Sequence, residues 1–373
     1  MATLALMEQG TKLAVDGEQF SVEREGAVIQ QVRMADVDEV LVFGNVSLTP
    51  AATAALLRRG TDTLFLSAHG RYRGRLIGKP GKNVHLRLTQ FDRLRDPAVA
   101  VPLARALVGG KVANQRALLL RAQREQASAV RPADAGACGK REALAGAIAA
   151  LRRLLEALDG AETIEGVRGI EGQAAALYFG VLGQCVRNPE FGFAKRTRRP
   201  PRDPMNAILS FGYTLLAMGM ESAVLRVGLD PMVGVFHLPD YGRPSLVLDL
   251  IEEFRPVMVD TLALRIVNRR EVAREDFEEF ADDADALAAG DEPAAAGPVE
   301  PAESEPASGR PVWLGPTGRK IFFRAWGRRL RETHFYEVRR QTLTLEEVMQ
   351  QQVYQFARVL TGEANVYKAF TLR

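Results

Sequence analysis

The sequence predicts an α+β protein in which a small β-rich domain precedes a larger, mostly α-helical one. Three observations predict it. The chain has 373 residues, more than one small core absorbs, so two domains are expected. Apolar residues alternate with period two over the first stretch, and from Val84 onward the period changes to near 3.6. Hydrophobic residues make up 47% and charged residues 25%, which is the composition of a globular chain able to build both cores. The expected division is a β domain over residues 1–83 and a helical domain over 84–373.

The first strands are expected at 4–7, 12–15, 19–24, 27–32 and 37–43, separated by turn pairs such as Asp16-Gly17 and Glu25-Gly26. Thr49 followed by Pro50 reads as an N-cap and first helical residue, opening a short helix that ends near Arg59. Two further strands, 63–66 and 71–76, flank the turn at His69-Gly70. Helices are then expected over 99–125, 141–158, 170–186, 205–227, 245–273, 318–332 and 344–360, with a loop over 129–140.

Residues 281–310 differ from their surroundings. They are rich in Ala, Pro, Asp and Glu and nearly free of large apolar residues, so they read as a disordered acidic insertion within the helical domain. Twelve acidic and no basic residues fall between Glu275 and Glu305, while the whole chain carries +3. The remainder is therefore strongly basic and suited to holding a polyanion, although charge alone also describes a solvated surface. Apolar stretches such as 174–182 fall short of the roughly 20 residues that span a bilayer. The N-terminus lacks the order of a signal peptide, so a cytoplasmic protein with no membrane partner is expected. Cys138 and Cys185 form no CxxC pair or Cys/His cluster, which excludes a zinc ribbon or a disulfide scaffold. No GxxxxGK[ST] loop occurs, so nucleotide hydrolysis is unsupported.

Three segments carry the chemistry: Glu171 in RGIEGQAAALYFG, His237 in GLDPMVGVFH, and PSLVLDLIEEFRP. In the last, Leu246, Leu250, Phe254 and Met258 form an apolar stripe, and Asp249 and Glu252, three apart, lie close together on the helix surface. Pro256 cannot donate to the carbonyl of Glu252, so a kink or helix boundary should lie beside that carboxylate. A His with carboxylates is a mixed nitrogen and oxygen set that suits Mg²⁺ or Mn²⁺ better than Zn²⁺ and would serve phosphoryl transfer. The spacing alone is unspecific: acidic residues on helices are most often solvated, and a His among apolar residues is most often a core residue.

The order and spacing of several pieces resemble the CRISPR-associated endonuclease and integrase family (CRISPR-associated protein one). VLVFGNVSLT and LFLSAHGRYRG are similar to its β domain. PMNAILSFGYTLL, GLDPMVGVFH, SLVLDLIEEFRP, IVNRR and the ending YKAF are similar to its helical core. The resemblance implies metal ligands at Glu171, His237 and Glu252, with Asp249 as a further acidic site residue and Asn206 as a partner orienting a ligand. Asn206 as a helix cap is the competing reading. The resemblance also implies insertion of captured DNA into a CRISPR array by transesterification, a homodimer paired through the β domain, and a small companion CRISPR-associated protein. Arg33 stands where the family often has Pro, and the acidic insertion is unusual for it.

Lys195, Arg196, Arg198, Arg199 and Arg202 crowd one loop between the Glu171 and Asn206 helices and are candidate phosphate contacts. Arg71, Arg73 and Arg75 alternate along a strand and are a second candidate. Tyr213, Trp313, Trp326 and Cys185 read as core, and His69, His85 and His334 receive no catalytic role. The rival functions are a metal nuclease that cuts branched or single-stranded DNA without integrating it, and a DNA-binding scaffold without turnover.

Overall fold

The computed structural model describes residues 3–78, 83–129, 135–197, 200–280 and 310–372. The α+β expectation holds. Strands β1 (Thr3–Leu6), β2 (Lys12–Asp16), β3 (Gln19–Arg24), β4 (Ala27–Arg33), β5 (Glu39–Phe43) and β6 (Ser47–Leu48) precede helix α1 (Pro50–Arg59), then β7 (Asp62–Leu66) and β8 (Tyr72–Leu76) follow. Thr49 caps α1 by accepting from the Ala52 amide at 3.1 Å, and Gly60 closes it at φ 67°.

The strands form two four-stranded sheets, β1-β5-β7-β8 and β4-β3-β2-β6. Alternation along β5 explains how the first sheet serves two hydrophobic cores. Val40 and Val42 pack with Leu4, Leu6, Leu13, Phe20 and Leu56 in the β core. Leu41 and Phe43, on the opposite face, enter the helical core with Leu64 and Leu66. Arg75 adds a polar bridge across this contact, with its guanidinium 2.7 Å from Glu221 and 3.0 Å from Ser222. That pairing turns Arg75 inward, so it is not the open phosphate contact the strand alternation suggested; Arg73 alone of the three is exposed.

The helical domain comprises α2 (Val84–Leu94), α3 (Pro97–Ala129), α4 (Ala135–Leu158), α5 (Ile164–Leu182), α6 (Pro204–Val227), α7 (Ser245–Ile251) and α8 (Thr261–Asn268). It continues through β9 (Phe277–Glu279), β10 (Val312–Leu314), α9 (Pro316–Leu330), the hairpin β11 (Thr333–Tyr336) and β12 (Gln341–Thr344), and α10 (Leu345–Thr361). The helix expected over 245–273 is divided: α7 ends at Ile251, and Arg255–Asp260 winds as a π-helix before α8. Pro256 is the reason, as its missing donor foretold, and π-helical turns of this kind gather at functional sites.

Helix α6 is long and apolar enough to span a bilayer by length and composition, which the sequence reading overlooked. Here it is the central core helix, with Met205, Ile208, Leu209, Leu216, Met220 and Val224 fully buried. Cys185 is buried in a short turn after α5, and burial pushes its thiol up to about 12. The expected loop over 129–140 is helical from Ala135. The acidic insertion falls on residues 281–309, which lie outside the described residues. Its two flanks meet, because β9 pairs antiparallel with β10.

Candidate active site

The site is assembled around α7. Asp249 is fully buried and points back at the loop that precedes the helix. Its Oδ2 accepts from the Phe236 amide at 3.0 Å and from the Val235 amide, and its Oδ1 from the His237 amide at 2.8 Å. Oδ1 also lies 2.7 Å from His237 Nδ1. A carboxylate acceptor at Nδ1 favours the proton there and leaves the Nε2 lone pair available. Gly234 makes the approach possible, since a Cβ there would lie 2.5 Å from Asp249 Oδ2 and 2.6 Å from the Ser245 backbone. Asp249 thus positions His237, the role that spacing left undecided.

Glu171 is delivered by α5, whose N-cap Thr163 accepts from the Gly166 amide at 3.1 Å. Three residues before Glu171, and so on the same helix face, Arg168 donates from Nε to the Phe236 carbonyl at 3.0 Å. This clamp ties the Glu171 helix to the residue beside His237. Sequence reading missed it.

Glu252 follows the last residue of α7 and is 1% exposed. Lys111 of α3 places its ammonium 2.6 Å from Glu252 Oε2 and in an ion pair with Glu171 Oε1. Arg255 approaches Glu252 Oε1 at 3.2 Å. Burial acts to raise the Glu252 pKa, but the charges of Arg255 and Lys111 outweigh it and hold the carboxylate below its usual range. Both oxygens of Glu252 face cations, and no neutral side chain or backbone amide donates to either. One cation therefore already reaches two of the three expected ligands, and a buried carboxylate held only by cations fits a metal ion. Among the described residues no three of His, Cys, Asp and Glu converge as a ready metal cage; Lys111 stands between the carboxylates.

Asn206 occupies a different position from the one expected. It is fully buried, but its Oδ1 accepts from Arg196 Nη1 at 2.8 Å and the Thr197 amide at 3.0 Å, and its Nδ2 donates to the Lys195 carbonyl at 2.9 Å. It organises the basic loop and bonds to none of the three expected ligands. It does not cap α6 either, since Asp203 does so. The same bonds correct the reading of Arg196. Its guanidinium is internal, with the residue 6% exposed, because Asn206 and Ser210 bind it and Tyr213 lies beneath it at 5.4 Å. Lys195 is exposed and Arg202 half-buried; Arg198 and Arg199 lie outside the described residues. The Tyr213 ring also carries Arg255 at 4.9 Å, so the loop and the Glu252 counter-ion share one aromatic support.

The profile of the family described as "CRISPR associated protein Cas1" matches residues 4–288. This chain belongs to the Cas1 family. It is 36% identical over 368 residues to "CRISPR-associated endonuclease Cas1 2" of Rhodospirillum rubrum, spanning 98% of this chain and 96% of that protein. It is 35% identical over 376 residues to "CRISPR-associated endonuclease Cas1 1" of Moorella thermoacetica, spanning 100% and 98%. Its fold is that of a solved Cas1 protein from Thermotoga maritima (TM-score 0.75, 23% identity, 99% of this chain and 100% of that one). It is also that of a structure titled "Casposase bound to integration product" (TM-score 0.77, 19% identity, 99% and 93%).

In this Cas1 chain the YKAF ending packs behind the site. Glu253 accepts from the Tyr367 hydroxyl at 2.6 Å, from Gln352 Nε2 at 2.9 Å and from the Phe370 amide at 2.6 Å. Asn114, one turn after Lys111, donates to the Glu253 and Phe370 carbonyls at 2.8 Å each. The C-terminal segment thereby braces the turn that carries Glu252.

Proposed function

We propose that this chain is a metal-dependent DNA endonuclease and integrase that inserts captured DNA into a CRISPR array by transesterification. The observation that carries the reading is the convergence of Glu171 and Glu252 on a single cation, Lys111, with His237 fixed by Asp249 within electrostatic reach of Glu252. These three residues would hold Mg²⁺ or Mn²⁺, which supplies polarisation of the scissile phosphodiester and stabilisation of its developing charge. Asp249 keeps the His237 proton on Nδ1. Arg168 and Gly234 fix the His237 loop against the Glu171 helix, so ligand positions are set before substrate arrives.

In the reaction the 3′-hydroxyl of the captured DNA attacks phosphorus in the repeat. One phosphodiester forms, one breaks, and the repeat strand leaves with a new 3′-hydroxyl. Bonds are exchanged without net hydrolysis, so no nucleotide energy source is required. Water attacking at the same site gives cleavage. The DNA would run past the basic loop, contacting Lys195 and Arg202 together with Arg198 and Arg199. The proposed assembly is a cytoplasmic homodimer paired through the β domain, joined to the small companion CRISPR-associated protein. A neighbour of the same fold at TM-score 0.75 is titled "Cas6-RT-Cas1--Cas2 complex", which supports the companion protein in that assembly.

The test is a joining assay with a labelled 3′-hydroxyl duplex and a repeat-bearing plasmid in Mn²⁺. Label appearing in the plasmid with the parent chain, and none with Glu252→Gln, is the expected result. Plasmid nicking without label transfer would favour the nuclease reading.

A further inference from the structure

Lys111 is assigned neither by the spacing of the motifs nor by the resemblance, and it touches two of the expected ligands. Its residue is 3% exposed, and a lysine so deeply buried needs a counter-charge. Two are supplied, Glu171 and Glu252. The delivery is built into the fold. At Gly110 a Cβ would lie 2.5 Å from Ala369 Cβ and 3.1 Å from Glu253 Cβ, so only a glycine lets α3 come this close to the turn bearing Glu252. Arg255 on the far oxygen of Glu252 completes a balanced set of two cations and two carboxylates.

We propose that Lys111 is a resident counter-ion that occupies the place of the divalent metal and gives it up when the metal binds. This rests on the metal-site reading above. In the metal-free protein the ammonium holds Glu171 and Glu252 together, where their mutual repulsion would otherwise part them. A divalent cation taking the same two oxygens leaves the ammonium without its partners and the site with surplus positive charge. The group that restores the balance is a DNA phosphate. Lys111 therefore couples the two ligands: metal entry releases a cation for the scissile phosphate, and phosphate binding makes metal entry more favourable. Lys111 is a positioning residue before the metal arrives and a substrate contact afterwards.

The experiment has two arms on the full chain. In the first, the unaltered protein is treated with acetic anhydride with and without Mn²⁺, and acetylation of Lys111 is read by mass spectrometry. Protection without metal and at least roughly tenfold faster labelling with it is the expected outcome; unchanged labelling while Mn²⁺ binding is measured in the same sample overturns the proposal. In the second arm Mn²⁺ affinity is titrated by electron paramagnetic resonance for the parent, Lys111→Met and Lys111→Arg. Lys111→Met should bind Mn²⁺ roughly tenfold more tightly without DNA, and DNA should improve its metal affinity less than it improves the parent's. Lys111→Arg should keep the coupling. Weaker Mn²⁺ binding by a folded Lys111→Met would make the lysine a metal-site support only. If the parent binds no Mn²⁺ at all, the metal-site reading itself has failed, and the arms distinguish that case.

Discussion

Glu252 and Glu253 are neighbours in the chain, both are buried, and their surroundings are opposite. Glu252 faces Lys111 and Arg255, accepts from no neutral donor, and stays charged. Glu253 faces neutral donors, the Tyr367 hydroxyl, the Gln352 amide and the Phe370 amide, and burial pushes its carboxyl up to about 7. The carboxylate bonded by neutral donors is bound into the architecture. The one held by cations is open to an incoming ion. Counter-charge, rather than burial, separates the two acids in this turn: cations hold the site acid and neutral donors hold the structural one.

The largest effects should break that contrast on the Glu252 side. Glu252→Gln and His237→Ala should each lower Mn²⁺-dependent cleavage and joining by about 10³-fold or more, since each removes charge stabilisation that phosphoryl transfer depends on. Circular dichroism and the thermal transition should show both variants folded. Activity within about tenfold of the parent in either would remove that residue from the ligand set. Glu253→Ala should do the reverse. It strands three buried donors and should cost about 3 kcal/mol of stability, read by urea unfolding, with a much smaller effect on turnover per folded molecule. A stable but inactive Glu253→Ala would show that the structural assignment is wrong.

Much of the fold was legible because its signals are local. The cap at Thr49, the turns at Asp16-Gly17 and Glu25-Gly26, and the helix boundary imposed by Pro256 each depend on adjacent residues. What escaped depends on distant partners. Strand β9 exists only because β10 pairs with it, and α2 was missed because it buries little beyond Leu86 and Gln90. The site divides in the same way. Glu171, His237 and Glu252 were named by resemblance, whereas Lys111 sits sixty residues before Glu171 on another helix and no spacing links them. One signal did exist. Lys111, Asn114 and Gln115 interrupt an apolar helical run, and charged or amide side chains in such a run must be satisfied by something.

The basic loop holds a second contrast of the same kind, at intermediate size. Arg196 is bonded inward to Asn206 and Ser210, while Lys195 is exposed in the same loop. Arg196→Ala should cost about 2 kcal/mol by leaving the Asn206 carbonyl oxygen and Ser210 short of a partner, with DNA affinity changed only through that loss. Lys195→Ala should leave stability nearly unchanged. Affinity for duplexes of any sequence should fall, and the slope of log affinity against log salt should shrink by about 0.9 for each phosphate contact removed. Filter binding at several salt concentrations measures both quantities. An unchanged slope would return Lys195 to ordinary solvated surface.

The smallest expected effect lies at Asp260, the acid beneath the Arg255 end of the site. It is 1% exposed, accepts from the Tyr178 hydroxyl at 2.7 Å and from the Tyr213 hydroxyl, and burial outweighs those bonds to raise its carboxyl to about 6. Because its folded pKa stands above the ordinary value of 3.8, the native state binds the proton more tightly than the unfolded chain does. The stabilisation from that proton is full below the ordinary value and is lost as pH rises through about 6. Asp260→Asn carries no titrating proton and keeps an acceptor for one tyrosine hydroxyl. Its stability should therefore change less steeply than the parent's as pH rises from about 4 to about 6, and run parallel to it above that range. Urea midpoints collected across the window give the two slopes directly. Identical slopes would mean that Asp260 is already ionised throughout, held so by Arg255 and Arg196. The arginine pair over Tyr213 would then be a counter-ion set for Asp260 as much as a support for Glu252.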